Sequence, residues 1–323
     1  MQFETIIPFL RPIEHLILDP DISEIMVNAD SRIFIEKHGQ LMPVPGITIS
    51  GQALCAAVKN IARRLGDDIS EEKPILDSRL PDGSRVAAVL PPCSIDGITL
   101  TIRKFNTRHF TIADLIENGT LSATTADLLR EKVCSRQNIL ISGGTGSGKT
   151  TLLSILADFI PDEERIFLIE DTAELNIRKS NLVRFETRRE QAGIPAVTVR
   201  DLLKAALRHR PDRIIVGEVR GGEAFDLLQA LNTGHSGSLC TLHANSAHQA
   251  IVRFSDCVLQ SGIELPHRAI MANIGNSVDL LVHIARIKGR RSISEIVLVE
   301  GFDSAADECR LFPAHIPSIT PQI

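Results

Sequence analysis

The sequence predicts an α/β protein in two parts, a smaller α+β domain followed by a domain built on a largely parallel sheet. Three observations carry this. Up to about Phe105 the chain reads as short strands and turns around one helix. From Gln137 onward, strand-like and helix-like runs alternate. Between the first such strand and helix stands the glycine-rich stretch GGTGSGKTT, Gly143 to Thr151.

The first part spans residues 1–106. SEIMVNA and RIFIEKHG read as strands joined by a turn at NAD. GQALCAAVKNIARRLG reads as a helix, because Leu54, Ala57, Val58, Ile61 and Leu65 recur at helical spacing and Gly66 stops it. DSRLPDGSRVAAVLPP and GITLTIRKF supply further strand pieces around a PDG turn. Residues 107–136 read as a linker with helical segments.

The second part spans residues 137–303. NILIS, RIFLIED, NLVRFET, RIIVGEV and SLCTLHA are strand-like, and GKTTLLSILADFI, TVRDLLKAALRHR and GEAFDLLQALNTG are helix-like. Continuously apolar strands alternating with helices imply a buried parallel sheet. The proline-containing tail 304–323 is expected to be poorly ordered.

Gly143, Gly148, Lys149 and Thr150 fit the pattern G-x-x-x-x-G-K-[ST] in the strand-loop-helix setting that the pattern requires. A chance match in a glycine turn would lack that setting. Glycines let backbone N–H groups curl around phosphate oxygens, and the following helix offers its N-terminal N–H groups to the same anion. Lys149 is positioned to reach β- and γ-phosphates, and Thr150 to offer a hydroxyl to Mg²⁺.

Carboxylates narrow the chemistry. FLIEDTAE ends a strand with Glu170, Asp171 and Glu174 clustered, a group that could orient Mg²⁺ or water or could be a solvated turn. RIIVGEVR resembles a second Walker motif, with Gly217 where an Asp is common and Glu218 next to it. A carboxylate at a buried strand end is costly unless paired or used, so Glu218 is assigned to water or the metal shell. In GHSGSLCTLHANS, His235 and His243 flank a strand expected to border the nucleotide, which favours sensing of the γ-phosphate. No cysteine stands at zinc-ligand spacing.

Composition bounds the rest. The net charge of −5 gives no basic field for nucleic acid, and with neither Tyr nor Trp there is little surface for stacking bases. The six cysteines form no CxxC pair and read as reduced thiols. The N-terminus lacks the pattern of a signal peptide, and no run approaches a membrane span. A cytosolic protein is expected, with peripheral membrane contact through a partner.

The four motifs GGTGSGKTT, IEDTAE, IIVGEVR and GHSGSLCTLHANS, in that order, resemble the secretion ATPases of type II and type IV systems, and the likeness extends through SRLPDGSRVAAVLPP and LTIRKF. DRIIVGEVRGGEAFDLLQALNTGHSGSLCTLHANSA is most similar to the TrbB-like conjugal-transfer ATPases, and the absence of a long N-terminal extension is expected to separate it from pilus-assembly relatives of the CpaF kind.

The resemblance implies a RecA-like P-loop NTPase motor domain behind the α+β domain, a homo-hexameric ring, and ATP with Mg²⁺ between the domains. Gly143, Gly144, Thr145, Gly146, Ser147, Gly148, Lys149, Thr150 and Thr151 would bind the nucleotide together with Arg79. Thr150 and Glu218 would serve the metal. Glu174 would activate water, Glu218 would be the second Walker acid, His243 would read the phosphate, and Arg85 and Arg103 would supply cations. Inner-membrane components of a secretion or conjugation machine are the implied partners, at the cytoplasmic face of the inner membrane.

A pilus-assembly ATPase, a scaffold gated by ATP and a translocase acting directly on DNA are the alternatives. The last draws on the basic run RIKGRR, Arg286 to Arg291, which reads first as a solvated hairpin turn and otherwise as a contact for anionic lipid or a membrane partner.

Overall fold

The computed structural model describes residues 6–29, 32–105, 110–188, 190, 193–287 and 289–314. The chain divides into two compact units, residues 1–108 and 109–323.

The first unit holds the short helix α1 (Glu14–Leu18) and strands β1 (Ile22–Asn28), β2 (Arg32–Lys37) and β3 (Gln40–Val44). Helix α2 (Gly51–Arg64) follows, then β4 (Ile75–Arg79), β5 (Arg85–Val89) and β6 (Thr99–Arg103). The six strands form one sheet in the order β3-β2-β1-β6-β5-β4, with every neighbouring pair antiparallel. β3 adds to the strands expected from the sequence. Helix α2 starts where the Ser50 hydroxyl accepts from the Ala53 N–H at 3.2 Å, and it buries Leu54, Ala57, Val58 and Ile61 in the core shared with the sheet. Each of the Leu, Val and Ile side chains is worth roughly 1.5–3 kcal/mol of burial.

The register of this sheet places its basic residues. Arg79 faces Arg85 across β4 and β5, Arg85 faces Arg103 across β5 and β6, and Arg103 faces Glu24 across β6 and β1. Directly opposed residues share a sheet face, so the three arginines stand in one row.

The second unit opens with α3 (Ile112–Glu117) and α4 (Ala123–Cys134). Leu115, Leu129 and Val133 of these helices are buried in the same core as Ile139, Ile141 and Leu152. Most of the segment expected to be a linker is therefore part of this unit's packing, because its apolar stripe covers one face of the sheet. Residues 107–109 of that segment lie outside the described residues.

Next come β7 (Ile139–Ser142), α5 (Lys149–Ala157), β8 (Ile166–Glu170), β9 (Leu182–Glu186) and α6 (Val199–Ala206). They are followed by β10 (Arg213–Val216), α7 (Glu223–Asn232), β11 (Leu239–Leu242), α8 (Ala247–Leu259) and α9 (His267–Ser277). The chain continues with β12 (Leu280–Ile287), β13 (Arg290–Asp303) and β14 (Glu308–Pro313). The sheet order is β14-β13-β12-β7-β11-β10-β8-β9, with β12 through β9 parallel and β13 and β14 antiparallel at one edge. Alternate strand residues feed two cores. Ile139, Ile141 and Ile215 face α3, α4 and α5, whereas Leu140, Val216 and Leu242 face α6 to α9. The sheet is covered on both sides, which is why its strands read as unbroken apolar runs.

Helices α8 and α9 go beyond the expected elements. The tail beginning at residue 304 contains β14, paired along β13 from Val297 with Pro313 to Asp303 with Glu308. Edge pairing orders that part of a segment expected to be poorly ordered; residues 315–323 lie outside the described residues.

At the amino edge of the parallel strands, the fully buried Arg213 ties four elements together. Its guanidinium donates to the Glu164 carboxylate at 2.5 and 3.2 Å, to the Gly237 carbonyl at 3.0 Å and to the Val133 carbonyl at 3.0 Å. Arg213→Ala would take the closest cation from the half-buried Glu164 carboxylate, leaving it Arg136 at 3.6 Å, and would leave two carbonyls without their donor. A loss of about 3–5 kcal/mol is expected, read as a lower urea midpoint; an unchanged midpoint would show that this cluster does not hold the edge.

Candidate nucleotide site

All four motifs of the second unit sit at the carboxyl ends of adjacent parallel strands. β7 leads into the glycine loop, β11 into His243, β10 into Glu218 and β8 into the acidic box, with β11 lying between β7 and β10. Open parallel sheets bind ligands at this edge.

The loop is shaped for an anion. Gly146 and Gly148 adopt left-handed backbone, with φ of +69° and +99°. A methyl group on Gly143 would fall 2.3 Å from the Ile284 carbonyl oxygen and 2.6 Å from Ser147 Oγ, so only glycine fits there. Gly148 caps α5, which starts at Lys149 and carries Thr150 and Thr151, both half-buried, in its first turn. Gly144, Thr145 and Gly146 are exposed at the tip, and the buried Ser147 hydroxyl makes no hydrogen bond.

Lys149 is buried, and its Nζ donates to the carbonyls of Gly143 and Gly144, both at 2.9 Å. Burial lowers its pKa, and the nearby Glu218 partly opposes that shift. The ammonium is thus pre-placed inside the loop, held by the loop's own carbonyls.

From Lys149 a chain of polar groups crosses the strand ends. His243 Nδ1 lies 3.5 Å from Lys149 Nζ, and His243 Nε2 lies 2.6 Å from Glu218 Oε1. Burial and then the Lys149 charge lower the His243 pKa, against the pull of Glu218. The neutral tautomer that suits this geometry donates from Nε2 to Glu218 and accepts at Nδ1 from Lys149. The other Glu218 oxygen accepts from Arg220 Nε at 2.5 Å, and Arg220 reaches Asp171 at 3.4 Å. An open cleft of about 440 Å³ adjoins Glu218, Arg220, Asp171 and Glu223.

Glu170 anchors the acidic box. Its buried Oε1 accepts from the N–H groups of Glu174 and Leu175, both at 2.8 Å, and Arg184 stands 3.6 Å from Oε2. Burial nevertheless pushes its pKa up to about 7. Gly217 makes room for it, since a methyl there would lie 3.1 Å from Glu170 Cγ. Glycine at this position, just after β10, avoids that tight contact. Glu174 itself is half-buried and enters this arrangement through its backbone.

The two histidines part company. His243 joins the phosphate edge, whereas His235 precedes β11 at the opposite, amino edge, where its Nδ1 lies 3.3 Å from the Ala230 carbonyl. The expectation that both border the nucleotide is therefore corrected: a strand of four residues separates its two ends. The glycine of the same motif, Gly237, serves Arg213, whose Nη1 would lie 1.8 Å from any methyl placed there.

Arg79, Arg85 and Arg103 belong to the first unit. Arg85 holds Asp77 through two 2.7 Å hydrogen bonds, and Arg79 Nε donates to the Gly83 carbonyl at 3.3 Å. Sequence reasoning missed Arg220, two residues after Glu218, and the packing of the basic hairpin on the loop, where Arg291 Nε donates to the Gly146 carbonyl at 3.1 Å.

A triphosphate fits this cradle: three glycines, a buried lysine and an unpartnered hydroxyl converge on it. For Mg²⁺ the chain alone offers little, since no three His, Cys, Asp or Glu side chains among the described residues could hold a metal ion. Such an ion would arrive with phosphate oxygens and meet Thr150 and Glu218.

A phosphate loop between a buried strand and a helix, with a carboxylate ending a strand one place removed, defines the class of P-loop nucleotide-binding proteins. The chain belongs to the Type II/IV secretion system protein family, whose pattern it matches over residues 10–308. It is 37% identical to the conjugal transfer protein TrbB of Rhizobium radiobacter over 293 residues, 88% of this chain and 85% of that one. The VirB11 ATPase of the Brucella suis type IV secretion system, solved in complex with sulphate, is 30% identical, with a TM-score of 0.50 over 91% of this chain and 94% of that one. The Legionella pneumophila ATPase DotB shares the fold at 22% identity, with a TM-score of 0.62 over 94% and 83% of the two chains. The protein is a secretion motor ATPase with an N-terminal domain and a RecA-like domain. Among the described residues, no helix is long and apolar enough to cross a membrane.

Proposed function

We propose that the protein hydrolyses ATP with Mg²⁺ to drive a type IV secretion or conjugative transfer apparatus. The observation that carries this reading is the Lys149–His243–Glu218 chain, with separations of 3.5 and 2.6 Å. It links the cation of the phosphate loop to a carboxylate at the end of a nonadjacent strand. Bound Mg²⁺ would draw charge from the phosphate oxygens.

The glycine loop from Gly143 to Thr151 cradles the phosphates, and Lys149 leaves its own carbonyls for them. Thr150 and Glu218 face the metal shell. His243 carries the state of the phosphate side to Glu218 by changing which partner it holds. Glu174 orients water, and Arg79, Arg85 and Arg103 bring cations to the developing charge. The sulphate complex of the Brucella suis VirB11 ATPase supports tetrahedral-anion binding in this family.

Six copies in a ring, working with inner-membrane components at the cytoplasmic face, complete the proposal. The net charge of −5 and the absence of Tyr and Trp weigh against direct action on DNA.

Glu218→Gln and Glu174→Gln test the reading. Each keeps side-chain size and removes charge, so ATP still binds while turnover falls by roughly 10²-fold or more. Wild-type turnover in both variants would remove these carboxylates from the chemistry. If only one variant is slow, that residue handles the water.

A further inference from the structure

The hairpin between β12 and β13 packs on the phosphate loop. The Ile284 carbonyl oxygen closes on Gly143, the Arg286 guanidinium would lie 3.7 Å from a methyl on Gly146, and Arg291 Cδ would lie 3.2 Å from one on Gly148. Arg291 also donates to the Gly146 carbonyl at 3.1 Å. Arg286 and Arg291 face each other directly across the two strands. Like charges in that position repel, and both residues are exposed. Two cations are thus held side by side at the rim of an anion cradle.

Sheet order says which part of an anion they would meet. β12 lies on one side of β7, and β11 and β10, carrying His243 and Glu218, lie on the other. Lys149, His243 and Glu218 mark the γ-phosphate flank, so the hairpin arginines occupy the opposite flank.

We propose that Arg286 and Arg291 form a cation clamp for the α- and β-phosphates of the bound nucleotide, supplied by the motor domain itself. Arg291 exchanges the Gly146 carbonyl for a phosphate oxygen on loading, and Arg286, opposite it across the two strands, brings a second guanidinium to the same rim. Arg286 and Arg291, the two ends of a run that its sequence reads as a solvated turn, thereby become part of the nucleotide site. This rests on the P-loop reading above.

Calorimetric titration of the full chain with ATP and with ADP, each with Mg²⁺, tests it. Because both nucleotides carry the α- and β-phosphates, Arg286→Ala with Arg291→Ala weakens both by similar factors, about tenfold or more for the loss of charge-assisted bonds. Arg291→Lys keeps the charge and recovers part of the affinity. Thermal unfolding without nucleotide reports whether the double variant is folded; if it is not, Arg286→Gln with Arg291→Gln keeps much of the side-chain bulk and replaces it.

Wild-type affinity for both nucleotides in a folded variant overturns the clamp. Loss of ATP affinity alone overturns the assignment to the α- and β-phosphates. Intact nucleotide affinity with lost binding to phosphatidylglycerol vesicles would make the hairpin a membrane contact instead. The P-loop reading fails by a different result, namely Lys149→Ala binding ATP as the wild type does.

Discussion

Lys149→Ala is expected to abolish nucleotide-dependent turnover and to leave the chain folded. The ammonium sits inside the loop, donates to the carbonyls of Gly143 and Gly144, and stands 3.5 Å from His243. Removing it deletes the cation that the proposed function sets against the β- and γ-phosphates and cuts the path from the loop to Glu218. Alanine is a strong helix former, so α5 keeps its first turn. Two carbonyls at the loop lose a donor, at roughly 1–3 kcal/mol each where they stay buried. ATP turnover, nucleotide affinity and far-ultraviolet circular dichroism are measured on the same preparation. Turnover at the wild-type rate would sink the P-loop assignment, and it would do so with the folded signal as its control.

Arg103→Ala is expected to lower turnover by on the order of 10³-fold, the effect an arginine finger can reach. The expectation follows from the proposed function, and the sheet supplies one supporting observation. Arg79, Arg85 and Arg103 stand opposite one another on three neighbouring strands, with Asp77 neutralising Arg85 and Glu24 opposite Arg103 at the end of the row. The row gathers three guanidinium groups on one face of the sheet, a suitable surface for an anion. Under the proposed ring, an arginine acting across a subunit boundary would let Arg103→Ala and Lys149→Ala chains restore some activity when mixed, because mixed rings contain intact sites. Co-assembly is checked first by size-exclusion chromatography with light scattering. Loss without rescue in co-assembled rings would place Arg103 within its own subunit's site. Wild-type turnover of Arg103→Ala would take the row out of the chemistry.

The parallel sheet and its phosphate loop were legible in the sequence because both depend on local pattern. Ile139 to Ile141 and Ile214 to Val216 are apolar in unbroken succession since both sheet faces are covered. The loop's glycines are fixed by backbone geometry within nine residues. Helices α3 and α4 were legible as helices, but not as members of the second unit, since their stripe says that they pack and not on what. β14 escaped notice because an edge strand half-exposed to water carries a weak alternation.

The sequence by itself determined that a phosphate cradle follows a buried strand, that acids end two further strands, and that a histidine follows a fourth. Each of those statements concerns neighbours in the chain. Only the tertiary structure decided which groups meet. His243 lies 94 residues from Lys149 and Arg291 lies 145 residues from Gly146, and each pair is joined by strand order. The same order separates His235 from His243, although eight positions divide them in the chain, because β11 carries one to each edge. Gly217 and Glu170 show the reason most plainly. The glycine looks like a departure from a motif until β8 and β10 pair side by side, and then it gives room beside a buried carboxylate.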